Sequence, residues 1–308
     1  MAGVSQRHSL YGVSVGSSLL GGITRQSIPP NIAERGEASS GEVYPRFQSI
    51  VGMRPMLQFD TLAISSALNL IGALGTSIAG LTGGLSFYAQ KHTDGGSRAG
   101  SSSHRKYNAV KGLLIPRRLS VGHQGDATLT YEAYATYDGT NDPLALTDSV
   151  SLPSGIADDE RFTLGPVTIG AVALGQVRQL DLDFGINVQT EGADSEIWDR
   201  YCSIITVKPV LTLRGVDVQW WKSDKVPLAG LAGTHANTAI YLRKRAAGGT
   251  FVADATAQHI KLTLAGLVLL GDGHAASGSG AAEVSLSVPT KYDGTNAPLV
   301  VTLSSAIS

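Results

Sequence analysis

The sequence predicts a mainly β protein made of two tandem copies of a β-sandwich or split-barrel domain, residues 1–154 and 155–308, each with a short flanking helix. Three observations lead there. A turn-forming phrase occurs twice, as Tyr137-Asp138-Gly139-Thr140-Asn141-Asp142-Pro143-Leu144 and Tyr292-Asp293-Gly294-Thr295-Asn296-Ala297-Pro298-Leu299, an offset of 155 in 308 residues. The sequence upstream of the phrase matches at nearly the same offset. Finally, 37 glycines with 16% charged and 6% aromatic residues describe a charge-poor globular chain of short strands and many turns.

The upstream matches run along most of each half. Val13-Ser14-Val15-Gly16 faces Val167-Thr168-Ile169-Gly170, and Glu42-Val43-Tyr44-Pro45-Arg46-Phe47 faces Glu196-Ile197-Trp198-Asp199-Arg200-Tyr201. Pro55-Met56-Leu57 meets Pro209-Val210-Leu211, Tyr88 and Lys91 meet Tyr241 and Lys244, and Lys111-Gly112-Leu113 meets Ala265-Gly266-Leu267. Exchanges such as Tyr for Trp and Phe for Tyr keep size and polarity, as a shared core volume requires.

Taken in order, residues 1–9 are polar and read as an N-terminal arm. Leu10 to Ser18 alternates as a strand. Ile23 to Gly41 carries Pro29-Pro30-Asn31, then Glu34, Arg35, Gly36 and Glu37, and reads as a long loop; loops of that length are usually functional. Phe47 to Phe59 is a strand interrupted at Gly52 and Pro55. Asp60 or Thr61 can cap a helix from Leu62, with Leu62, Ala63, Ser66, Ala67, Leu70 and Ile71 at helical spacing and Gly72 and Gly75 ending it. Strands follow at Leu85 to Lys91, His104 to Ile115 and Ala127 to Tyr137, with a loop over Thr93 to Ser103 and a turn at Gly122 and Gly125. The repeated phrase reads as a hairpin turn at Asp138-Gly139 and again at Asp293-Gly294, since Asp-Gly supplies the positive φ of a tight turn.

The second half follows the same plan. Its loop, Leu180 to Ser195, lacks the Pro-Pro and carries Asp181, Asp183, Glu191 and Asp194. In place of the clean helix stands Val216-Asp217-Val218-Gln219-Trp220-Trp221-Lys222, a short helical turn at most. Strands are expected at Thr238 to Lys244, His259 to Leu270, Glu283 to Val288 and Leu299 to Leu303.

Several functions are disfavoured by what the sequence carries. The net charge is −1, whereas a protein that grips nucleic acid through phosphates has a basic excess. Residues 1–154 hold 12 Lys+Arg against 10 Asp+Glu, and residues 155–308 hold 12 against 15, so the two halves share a plan but not a charge. The single cysteine, Cys202, allows no intrachain disulfide and reads as a packed thiol. The seven histidines include no HExxH, and neither a GxSxG elbow nor a GxxxxGK[ST] loop is present. Asp138, Asn141 and Asp142 have oxygen ligands at a Ca²⁺-like spacing, but the second copy has Ala297 in place of Asp142, which favours a turn. No enzyme activity, metal or cofactor is expected. Met1 to Leu10 has no signal-peptide core, and Ile64 to Leu81 is too rich in Ser and Gly for a membrane span, which sets the expected site of synthesis as the cytoplasm. The basic clusters His104-Arg105-Lys106, Arg117-Arg118 and Arg243-Lys244-Arg245 read as a solvated face or a subunit contact.

A duplicated β-domain with a long loop after its first strand, a short helix, an N-terminal arm and no catalytic motif resembles the major tail (tail tube) proteins of long-tailed bacteriophages, the duplicated kind that forms trimeric, pseudo-sixfold rings. The resemblance implies a structural protein of the virion tail, whose strands join a continuous inner barrel and whose lumen conducts DNA without holding it. It implies as partners further copies of the chain, the tape measure, tail tip and terminator proteins, and DNA in transit; no membrane is implied. On that likeness the loops containing Glu34, Arg35, Glu37, Asp181, Asp183, Glu191 and Asp194 make ring-to-ring contacts, with Arg117, Arg118, Arg243 and Arg245 as candidate basic partners. Two alternatives stand beside it. One is a β-sandwich receptor- or carbohydrate-binding virion module with Trp220-Trp221 as its platform; the other is a different ring component, such as a tail terminator or capsid decoration protein.

Overall fold

The computed structural model describes residues 7–307 except 39, 94, 157–159, 171, 195, 217–233 and 271–282. In the first half the strands are β1 (Arg7–Val15), β2 (Ser18–Leu20), β3 (Ile23–Ser27), β4 (Ile32–Glu37), β5 (Phe47–Met53) and β6 (Met56–Thr61), followed by helix α1 (Ile64–Ile71). Then come β7 (Thr76–Ser77), β8 (Leu85–His92), β9 (His104–Ala109), β10 (Gly112–Gly122), β11 (Thr128–Ala135) and β12 (Ala145–Val150). The second half supplies β13 (Arg161–Ile169), β14 (Val172–Leu174), β15 (Val177–Asp183), β16 (Ile186–Gly192), β17 (Asp199–Val207) and β18 (Val210–Gly215). It ends with β19 (Thr234–Arg245), β20 (His259–Leu270), β21 (Val284–Pro289) and β22 (Leu299–Ser305).

The protein is mainly β, in open antiparallel sheets. A five-stranded sheet runs β12-β9-β8-β1-β2, and a 13-stranded one runs β14-β13-β19-β20-β21-β18-β15-β10-β11-β6-β3, with β22 added on β20 and β7 on β10. Two ribbons, β4·β5 and β16·β17, stand apart from both.

Strand pairing in one half recurs in the other. The pairs β1·β8, β1·β2, β8·β9 and β9·β12 reappear as β13·β19, β13·β14, β19·β20 and β20·β22. Likewise β3·β6, β6·β11 and β4·β5 reappear as β15·β18, β18·β21 and β16·β17. Registers agree to the residue: Gln26 faces Phe59 as Leu180 faces Leu213, and Ile32 faces Met53 as Ile186 faces Val207. Left-handed backbone recurs too, at Gly16 and Gly170, at Asn31 and Gly185, and at Gly139 and Gly294.

A single apolar cluster runs through both halves, from Val13 to Val288. Alternation puts Leu129, Tyr131, Ala133 and Ala135 of β11 inside, and Leu211 and Leu213 of β18 likewise. Phe59 stacks on Tyr131 (5.1 Å, 18°) and meets Phe87 edge-on (5.8 Å, 90°), tying the long sheet to the five-stranded one. Each such ring, fully buried, contributes about 2–3 kcal/mol through the water it sheds. Helix α1 buries Ile64, Ala67, Leu68 and Ile71 and stops at Gly72, where φ is 77°. It starts two residues later than the expected Leu62. The Thr61 hydroxyl accepts from the Ala63 N–H (3.1 Å) and donates to the Gly21 carbonyl (3.0 Å), so the turn before the helix, and not the helix itself, takes the cap.

Several expectations need correction. Residues 7–9 of the supposed arm are paired in β1, where Arg7 faces His92. Ile23 to Gly41 is not a loop but carries β3 and β4; every residue of β4 is exposed, so a ribbon with no core face shows no apolar alternation to read. Leu180 to Ser195 is likewise the end of β15 and all of β16. His104 to Ile115 is two strands in two sheets, parted at Val110-Lys111, because a Cβ at Gly112 (φ +135°) would lie 1.9 Å from the Tyr134 carbonyl oxygen. The turns at Asp138-Gly139 and Asp293-Gly294 are not hairpins: β11 and β12 pair with other strands and not with each other, as do β21 and β22. The expected helical turn at Val216 to Lys222 lies, from residue 217 on, outside the described residues, as do Trp220 and Trp221.

Candidate assembly interface

Three features form the candidate site: a seam inside the chain, the sheet edge that matches it, and two projecting ribbons. At the seam, β10 of the first half pairs with β15 of the second, Arg118 facing Asp183, Leu119 Leu182, Ser120 Asp181, Val121 Leu180 and Gly122 Gln179. Leu119, Val121, Leu180 and Leu182 are fully buried there. Two charged contacts accompany the ladder. Arg118 donates to Asp181 (2.6 Å), and Arg117 donates to the Ile186 carbonyl (2.5 Å) of the other half while also bonding Glu132 (2.5 Å) and the Tyr134 hydroxyl. Burial pulls the Arg117 pKa down, but the hydrogen bond and charge of Glu132 outweigh it and leave it raised.

β3 occupies the place in the first half that β15 occupies in the second, yet its outer side is unpaired among the described residues. It pairs with β6 alone and ends the sheet. Such an edge presents a row of free N–H and C=O groups, a ready template for another strand. The β10 segment that meets β15, Arg118 to Gly122, corresponds by offset to residues 272–276, outside the described residues.

The second contact between halves lies at the tip of the β16–β17 ribbon, which reaches the base of the β4–β5 ribbon. Met53 forms a parallel bridge with Trp198 and donates its N–H to the Ile197 carbonyl (2.6 Å), and Tyr137 donates its N–H to the Asp199 carbonyl (2.8 Å). The Tyr137 and Trp198 rings meet at 5.3 Å, and Arg200 lies over Tyr137 at 5.4 Å. Arg200 is held in place by Glu196, whose carboxyl is drawn below its usual pKa by that same guanidinium. Asp199 takes Arg54 at 3.0 Å, and Lys111 lies over the Tyr201 ring at 5.3 Å.

The open face of the long sheet is polar and mixed in sign. Gln58, Asp60, Thr130 and Glu132 point there from β6 and β11, and Gln179, Asp181, Thr212, Arg214 and Ser287 from β15, β18 and β21. Three charge pairs form there, Arg25 with Asp60 (2.9 Å), Arg117 with Glu132, and Arg118 with Asp181, while Arg214 is exposed.

Of the residues singled out for contacts between rings, many are engaged inside the chain. Arg117 and Arg118 are bound at the seam, Arg243 bonds Asp254 (2.7 Å) and lies over Phe251, and Arg245 lies over Phe251 at 4.9 Å. Arg35 pairs with Glu37 along β4, Asp183 accepts from the Gly185 N–H (2.8 Å), and Glu191 accepts from Gln189 (2.9 Å). Glu34 and Asp194 are exposed. Asp138 accepts from the side chain of Asn141 and from the Thr140 and Asn141 N–H groups, and Asp293 repeats this with Asn296 and Thr295, so each pKa falls to about 2. Sequence reasoning matched Trp198 to Tyr44 but gave neither a role; the signal was an aromatic kept at one place in both halves. Among the described residues, no group of three His, Cys, Asp or Glu side chains is placed to hold a metal ion, and no helix is long and apolar enough to cross a membrane. Searches of protein-family models and of curated proteins give no match to this chain.

Proposed function

We propose that the chain is two tandem copies of one β-domain, residues 1–154 and 155–308, each copy a β-sandwich or split barrel, and that it is a structural virion protein stacking as three-chain, pseudo-sixfold rings into a phage tail tube. The observation that carries this reading is the β10·β15 seam. It joins the two halves edge to edge and leaves β3, the counterpart of β15, open on the same side. Repeating one contact head to tail closes a ring when the rotation permits, and closure removes both edges. Covalent linkage makes half of the neighbour contacts intramolecular, at an effective concentration on the order of millimolar.

The polar face of the long sheet, with three of its arginines neutralised in pairs, suits a lumen. Arginines already bound to Asp60, Glu132 and Asp181 offer little to DNA phosphates, so DNA passes without the tight, salt-dependent grip that free cations give. The exposed faces of the ribbons β4·β5 and β16·β17, with Phe47, Ile50, Tyr201 and Ile205, are the parts that meet an adjacent ring. Negative-stain electron microscopy of the purified protein across concentrations, with and without tail-tip complexes as seeds, tests the reading. Stacked rings are expected; a chain that stays monomeric even when seeded would overturn it.

A further inference from the structure

We infer that the tip of the β4–β5 ribbon, with Tyr44 as its anchor, docks in an apolar groove beside Tyr292 on a second copy of this chain. The inference rests on the ring reading and names its contact between chains. Within the chain, Trp198 sits on Tyr137 beside Met53. Subtract the offset from the ribbon side and the counterpart of Trp198 is Tyr44; add it to the receiving side and the counterparts of Tyr137 and Met53 are Tyr292 and Val207. Both counterparts are uncovered: Val43 is 88%, Tyr44 81% and Tyr292 60% exposed. Isolated apolar side chains are common on surfaces, but here two exposed clusters are the two sides of a contact the same chain already makes once.

The receiving side is already hollow. A cavity of about 410 Å³ is lined by Leu74, Phe184, Val207, Tyr292, Pro298 and Leu299, among others, roomy enough for a tyrosine ring. The ribbon side is held ready as well. Arg46 pairs with Glu42 as Arg200 pairs with Glu196, so docking places Arg46 over the Tyr292 ring as Arg200 lies over Tyr137. The backbone bonds from Met53 to Ile197 and from Tyr137 to Asp199 translate to Val207 donating to the Val43 carbonyl and Tyr292 donating to the Pro45 carbonyl of the other chain. Two contacts do not translate. Lys111 over Tyr201 becomes Ala265 beside Phe47, and the Arg54–Asp199 ion pair becomes Lys208 beside Pro45. The contact between chains is therefore the weaker version of the seam within one.

Cross-linking tests this directly. In a Cys202→Ser background, Tyr44→Cys together with Val207→Cys is treated with a short bismaleimide under assembling conditions, with the two single variants as controls. A ladder of two- and three-chain bands is expected from the double variant, reduced at least tenfold in either single variant. Tyr44→Ala and Tyr292→Ala in the otherwise native chain are expected to fold, by circular dichroism and thermal melt, and to raise the concentration needed for assembly at least tenfold. Rings that form without any cross-linked ladder, or that are indifferent to Tyr44→Ala, overturn this contact and leave the ring reading standing. A protein that forms no oligomer in any version overturns both.

Discussion

The surfaces around Tyr137 and Tyr292 are built to one plan, yet one is covered by its own chain and the other is bare. Around Tyr137 the ribbon tip supplies Trp198, Arg200 and the Asp199 carbonyl, reinforced by Lys111 on Tyr201 and Arg54 on Asp199. The bare surface keeps the tyrosine and the apolar floor but has Ala265 and Lys208 where the other has Lys111 and Arg54. The same difference separates β15, paired on both sides, from β3, paired on one. The contact made inside the chain has an ion pair, a cation–π contact and a larger ring; on the ring reading, its matched surface joins chains reversibly until a ring closes, and is leaner.

The largest effect that sharpens the comparison is expected at the matched glycines. Gly112→Ala forces a Cβ to 1.9 Å from the Tyr134 carbonyl oxygen at φ +135°, whereas Gly266→Ala meets the Pro289 oxygen at 2.3 Å without the left-handed backbone. Combined clash and strain put the first at about 4 kcal/mol and the second at about 2 kcal/mol, measured by denaturant unfolding. Next come the ribbon tips. Trp198→Ala is expected to lower chain stability by about 2 kcal/mol, since a half-covered ring is lost from the seam, while Tyr44→Ala changes it by less than about 0.5 kcal/mol. Equal losses in a concentration-independent melt would break the comparison.

A smaller effect is expected from pH. His104 is buried and accepts the Lys91 N–H on Nδ1 (3.0 Å), as His259 accepts that of Lys244 (3.0 Å). Burial, with Arg98, His8 and His92 nearby, holds the His104 pKa below 6.5. Because the unfolded chain then binds the proton more readily, stability is full above pH 6.5 and declines as the pH falls from there toward the folded-state pKa. The slope is at most about 1.4 kcal/mol per pH unit. His104→Gln keeps an acceptor and should flatten that part of the stability curve. Smallest are Asp138→Asn and Asp293→Asn. Both carboxylates titrate near pH 2 in the folded chain, so their contribution is present above the ordinary value of 3.8 and is lost toward pH 2. Each substitution should move the acid-unfolding midpoint slightly and by the same amount, checked by circular dichroism.

How legible this was from sequence varied with burial. His259 to Leu270 reads as one strand and is one, because its apolar residues alternate against a core. The offset between halves also foretold the matched registers. β4 was unreadable, since a strand exposed along its whole length, Ile32-Ala33-Glu34-Arg35-Gly36-Glu37, has no apolar alternation to interpret. The break between β9 and β10 depends on how closely Gly112 approaches Tyr134, which no local pattern records. The partners of the basic residues within the chain were hidden for a related reason: Arg118 and Asp181 lie far apart in sequence and meet only because β10 lies beside β15.

Light scattering after size separation, across a concentration series at physiological salt, tests the central claim most directly. The expected result is a species of three 32.0 kDa chains, about 96 kDa, or its whole multiples, with no stable two-chain form. A single-chain mass persisting to the highest concentration, or a closed dimer, would contradict the head-to-tail repetition of the seam.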